Sequence, residues 1–165
     1  MQTIVVDQDG VDLDAAPVGQ SSSPDLKIPT RRMDFEESMA SLPKYFTADG
    51  DLISSHIVAA LSSVFPDGED FFVRSVRHYR DQIVDPVLKR QVAGFIGQES
   101  MHGREHRIFN RRLAKLGYPT ISSEVITRTI LKARERALPA ISNLAFTAAM
   151  EHFTATLAET ILGDP

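Results

Sequence analysis

The chain has 165 residues, a net charge of -4 and no cysteine, with a pI near 5.7. That length suits one domain with its own core, and the acidic balance argues against nucleic acid or an anionic membrane as a partner. Lack of cysteine excludes disulfides, thiolate-held zinc, iron–sulfur clusters and thiol nucleophiles, so any metal must rest on Asp, Glu and His, which suits iron, manganese or zinc. No apolar run approaches the roughly 20 residues of a membrane span, and the chain does not open with a basic region followed by an apolar one. A cytoplasmic protein is the default expectation.

Residues 1–30 read as a disordered tail, rich in Asp, Gly, Ser and Pro and including Gln20–Ser21–Ser22–Ser23–Pro24. Only Ile4–Val5–Val6 has the character of a strand. Composition changes over Lys27 to Phe35, and residues 31–165 are expected to form the folded domain. Ile53, Ile57, Ala60, Leu61 and Val64 have helical spacing, continued beyond Pro66 by Phe72, Val73, Val76 and Tyr79. Two arrangements fit: one long helix kinked at Pro66, or a helix that stops there and a second that starts.

After a loop at Asp85–Pro86, a helix is expected from about Leu88 to Leu116, stopped by Gly117 with Pro119 beyond. Ser122 or Ser123 is a candidate cap for a helix reaching Ala137. Pro139 then opens a last helix from Ala140 to Leu162. No alternating pattern and no internal repeat is present, so the fold class is all-α.

The chemistry concentrates on the third of these patterns. Glu99, His102, His106 and Asn110 fall within about an 80° arc of one helix face. Val92, Phe95, Ile96, Leu113 and Leu116 continue the same face as an apolar stripe. A carboxylate and two imidazoles facing a core are costly unless neutralised. A metal ion does this, and Glu-x-x-His is a spacing by which one helix offers two ligands to one site. A solvated polar face is the simpler alternative, but it leaves the apolar neighbours unexplained. His106 lies one turn further on, about 6 Å away, so it is either a ligand or a support for one.

Glu151 is a lone carboxylate in an Ala-rich stripe with Leu144, Ala148, Ala155, Ala158 and Leu162 within about 60°. It needs a cation, supplied by a metal or by an Arg on a neighbouring helix. His152 points about 100° away and is not expected to ligate. Glu69 has Val73 and Val76 on its side. In the first turn of a new helix it would serve the helix dipole; in a helix continuous through Pro66 it would sit beside the Glu99 level. Ser100 has no third group for a serine triad. His56 and His78 read as structural or solvated, and Arg128, Arg134 and Arg136 as a solvated helix face. There is no Gly-rich phosphate loop.

Taken together, Arg31–Arg32–Met33–Asp34–Phe35, Ala60–Leu61–Ser62, Phe65–Pro66–Asp67–Gly68–Glu69, Phe95–Ile96–Gly97–Gln98–Glu99 with His102, Glu105–His106 and Asn110, and Glu151–His152–Phe153 resemble a bacterial family named predicted metal-dependent hydrolases. The resemblance runs from about residue 28 to the end. It implies a ferritin-like di-metal bundle, with Glu69, Glu99, His102 and Glu151 as metal ligands and His106 as a ligand or support. Two divalent ions are implied, iron first, with manganese or zinc as alternatives. The family's fourth arm, a second Glu-x-x-His after Glu151, has no counterpart before Pro165. The expectation is therefore an incomplete bundle, a truncated form whose stripe around Glu151 is open or is covered by another copy in a homo-oligomer.

Three functions follow from these observations. One is a metal-dependent hydrolase acting on a small molecule, with metal-bound water as the nucleophile. Another is a di-iron oxidase or oxygenase served by a reductase partner. The last is a non-enzymatic helical module with a structural polar face.

Overall fold

The computed structural model describes residues 27–163; most of the expected tail and the Ile4–Val6 segment lie outside the described residues. Five α-helices follow in order: α1 Glu36–Ala40, α2 Leu52–Arg77, α3 Pro86–Lys115, α4 Thr120–Ala137 and α5 Ala140–Leu162. Single 3-10 turns at Ala48–Gly50 and Arg80–Gln82 flank α2. The described residues contain no β-strand, and none of their helices is long and apolar enough to cross a membrane. The all-α expectation holds, and the arrangement is consistent with a ferritin-like bundle.

Local signals explain most helix ends. Asp51 caps α2 by accepting the Ser54 amide, and Asp85 caps α3 by accepting those of Val87 and Leu88. Pro86, expected in a loop, occupies the first turn of α3, where its missing N–H costs nothing. Gly117 ends the segment at φ 93°, a left-handed conformation that favours glycine. Neither Ser122 nor Ser123 caps α4. The helix starts earlier, at Thr120 after Pro119, and the Ser123 hydroxyl donates back to the Pro119 carbonyl. Thr120 itself is buried and its hydroxyl donates to the Asn110 carbonyl, which fixes the turn out of α3.

The two arrangements open at Pro66 resolve to one uninterrupted helix. Proline supplies no N–H, so the carbonyl one turn earlier, that of Ser62, loses its helical partner. Asn110 on α3 replaces it: its Nδ2 donates to the Ser62 carbonyl at 3.0 Å. The defect of one helix thus becomes a bond between two.

α2 is the central element, with α3 and α4 packed along it and α5 held mainly against it. One core cluster joins Ala59, Leu113 and Tyr118 with Phe46, Phe109 and Leu116. The other joins Phe71, Phe72 and Leu131 with Phe95, Phe146 and Met150. Ser75 and Thr147 share a buried hydroxyl–hydroxyl bond of 2.7 Å that ties α5 to α2. Two of the arginines expected on a solvated face have structural partners. Arg128 pairs with Asp67 at 2.8 Å, and Arg134 lies over the Phe146 ring while donating to the Ser142 carbonyl. His56 is structural, with its Nδ1 2.8 Å from the Leu52 carbonyl and its ring beside that of Tyr118.

Candidate metal centre

Because α2 runs through Pro66, Glu69 falls mid-helix and faces α3. Glu69, Glu99 and His102 each offer one ligand atom, and these atoms lie within 4.8 Å of one another. Glu69 and Glu99 are buried, whereas the His102 side chain is about half exposed, with its Nδ1 3.6 Å from Glu69 Oε1. Gly103 permits this closeness. A Cβ there would stand 3.1 Å from Glu69 Oε2 and 3.0 Å from the Arg107 guanidinium.

The three groups border a cavity of about 320 Å³ between α2, α3 and α5. Glu151 enters the same cavity from α5, outside the tight cluster, with Thr154, Ala155 and Ala158 beside it. Phe65 and Phe72 supply apolar wall from α2. His152 is exposed and does not line the cavity.

The electrostatics follow from too many carboxylates in too little water. Burial pushes the Glu69 carboxyl up to about 9, reinforced by the charge of Glu99 and opposed by Arg107. Burial and then Glu151 push Glu99 up to about 7. Burial also raises Glu151. Among the described residues, buried Oε2 of Glu69 has no hydrogen-bond partner. An unpartnered buried oxygen is uncommon and calls for a ligand or an ion. A divalent cation would supply that partner and lower all three carboxyl values together.

His106 is held from behind. Its Nδ1 is 2.9 Å from the Ser62 hydroxyl, which donates its one proton to Asn110 Oδ1 at 2.7 Å. Asn110 Nδ2 donates to the Ser62 carbonyl and to Glu124 Oε1, which fixes the amide's orientation. Ser62 must therefore accept from His106, so Nδ1 carries the proton and Nε2 keeps its lone pair. Nε2 stands 3.9 Å from Glu69 Oε1. Burial, with the neighbouring His102, lowers His106 to about 4 and keeps the ring neutral; Phe65 stacks beside it at 4.7 Å.

Motif spacing missed two contributors, Ser62 and Gly103. Ser62, together with Asn110 that the spacing had placed on this face, sets the His106 tautomer, and Gly103 leaves room for the Glu69 carboxylate against α3. The sequence signal for the last was three glycines, 94, 97 and 103, inside one helix, where each is unfavourable unless something approaches closely. Ser100, considered as a nucleophile, simply donates to the Ile96 carbonyl.

A family model described as predicted metal-dependent hydrolase matches residues 29–165. No curated protein matches the chain, and no solved structure does.

Proposed function

We propose that this chain, which belongs to the predicted metal-dependent hydrolase family, holds divalent metal on Glu69, Glu99, His102 and Glu151 and hydrolyses a small molecule there. The observation that carries this is the cluster of buried Glu69 and Glu99 with His102, whose ligand atoms lie within 4.8 Å of one another, in which Glu69 Oε2 has no hydrogen-bond partner. When bound, such an ion supplies Lewis acidity and brings the pKa of coordinated water towards neutrality.

The chain's own residues have distinct parts in this scheme. Glu69 and Glu99 neutralise the ion from the buried side. His102 holds it from the side open to solvent. Glu151, displaced from the tight cluster, would either complete the ligand set or serve as the proton acceptor on the α5 side of the cavity. His106 presents a neutral Nε2 towards Glu69 and is kept in that tautomer by Ser62 and Asn110.

A second reading is favoured by the donor set itself. Three carboxylates and two imidazoles around one cavity match the oxygen-rich set by which helical bundles hold two iron ions, and redox chemistry on a small molecule then replaces hydrolysis. A second copy of the chain closing the side around exposed Ala148, Ala155 and Ala158 belongs to the same proposal, as does an electron-donating partner for the redox form.

Metal analysis of protein purified without added metal tests both. One zinc per chain together with ester hydrolysis supports the hydrolase, and two irons per chain the redox enzyme. Glu99→Gln and His102→Ala should each reduce metal content at least about tenfold, since losing a ligand or its support commonly costs 10–100-fold in affinity. Unchanged metal content in both variants, or no metal with unchanged stability, refutes the site.

A further inference from the structure

A second cavity, of about 290 Å³, lies on the other side of His102. Its walls are Pro29, Arg31 and Met33 from the segment preceding α1, and Gln98, Met101 and Glu105 from α3. Gln98 and His102 border this cavity and the metal cavity alike. The two spaces are therefore neighbours across one wall.

The preceding segment is seated, not draped. It crosses α3 where two glycines leave room. A Cβ on Gly94 would collide with the Ile28 carbonyl oxygen, and one on Gly97 with the Thr30 hydroxyl. Further along, the Phe35 amide donates to Glu105 Oε2 at 3.3 Å. Arg104 donates to the Met33 carbonyl at 3.4 Å and pairs with Asp34 at 3.7 Å. Contacts on both sides thus hold Arg31 and Met33 above the Gln98–His102 wall.

The charges in this cavity are unequal in availability. Glu105 is buried and already engaged, accepting from Arg104 at 2.7 Å as well as from the Phe35 amide. Arg31 is exposed to the cavity and has no carboxylate partner among the described residues. Beside Gln98 and His102, two methionines and a proline supply adaptable apolar lining. A cavity with one unpaired guanidinium among such walls selects an anionic head on an apolar body, because Arg binds planar oxyanions through paired donors.

The geometry points to this cavity as the part of the substrate site of the proposed hydrolase that holds the charged end of a small amphiphilic anion, its carboxylate or phosphate on Arg31, its apolar body along Met33 and Met101, and its separate ester bond at the shared edge by His102, facing the metal cavity. This assignment of substrate class rests on the metal reading above, but the cavity's own binding does not require metal.

Binding of hexanoate to the full chain tests it, followed by the methionine methyl resonances, in chelator-treated and in zinc-loaded protein, with hexanol and hexylammonium as controls. Saturable binding of hexanoate in both forms is expected, stronger than that of either control. Arg31→Met, an exposed change that leaves the core intact, should weaken hexanoate about tenfold or more and leave hexanol unchanged. Gly94→Ala, which forces the Ile28 backbone off α3, should weaken both ligands while Arg31 is still present. Hexanoate binding only in the zinc-loaded form and insensitive to Arg31→Met would place the anion on the metal and overturn this site while sparing the metal reading. Arg31-dependent binding by a chain that never takes up zinc would uphold the cavity and sink the metal reading. No hexanoate binding in either form, or equal affinity for hexylammonium, overturns the proposal outright.

Discussion

Glu69→Gln isolates the electrostatic strain at the centre of the bundle. In the metal-free fold this carboxyl is held at about 9 against an ordinary 4.5. The folded chain therefore keeps a proton that the unfolded chain releases. Its contribution to stability is fully present below 4.5 and is lost as pH rises towards 9. Each pH unit in that window costs ~1.4 kcal/mol, so wild type should lose ~4 kcal/mol between about pH 5 and pH 8 from this group. Glu99 adds to the fall up to its own value of about 7. Glutamine keeps the shape and cannot ionise. Urea unfolding of chelator-treated protein across this range should show similar stabilities near pH 5 and a variant more stable by ~4 kcal/mol near pH 8. Zinc should reverse the order, because coordination needs the ionised carboxylate: it should stabilise wild type far more at pH 8 than at pH 5, and the variant little at either. Parallel stability curves for the two metal-free proteins would refute the idea that Glu69 carries this strain.

Two further substitutions separate stability from site geometry. Gly103→Ala should raise helix stability by up to ~1 kcal/mol yet lower zinc content, since the new methyl presses on Glu69 Oε2; thermal unfolding and metal analysis on the same sample check both. Asn110→Ala should destabilise the fold by ~2–3 kcal/mol in urea titrations, because it orphans the Ser62 carbonyl and its hydroxyl proton, and nitrogen NMR should show the His106 tautomer shifting.

The long helices and the Glu99–His102–His106 face were legible from spacing alone, since a polar patch inside an apolar stripe survives any uncertainty in helix ends; the five-residue α1 was too short to leave a period. Glu69 was legible only conditionally. A proline four residues after Ser62 reads as a break, and nothing local reveals that a distant Asn restores the lost bond. The cap of α4 was misjudged because Ser122 and Ser123 have the right chemistry, but Thr120 has a tertiary acceptor, and tertiary context outweighs local preference. Arg128 is exposed as expected, but its partner Asp67 is remote in sequence and was not legible; Arg134 is only half-exposed because it lies over Phe146 of the next helix. The placing of Ile28 and Thr30 on Gly94 and Gly97 was hidden for the same reason: glycine records that something comes close, not what.

Pro66 carries a consequence for how this molecule tolerates change. In an ordinary helix pair, register is kept by side chains, each replaceable in turn. Here one element of the register is a main-chain carbonyl that proline has left vacant and Asn110 has claimed. Replacing Pro66 by alanine would hand that oxygen an in-helix N–H and set it in competition with Asn110, whose amide also orients Ser62 and, through it, His106. The helix would gain a bond and the imidazole could lose its alignment. Pro66 and Asn110 thus form an interdependent pair: repairing the helix at one residue loosens the candidate metal pocket through the other.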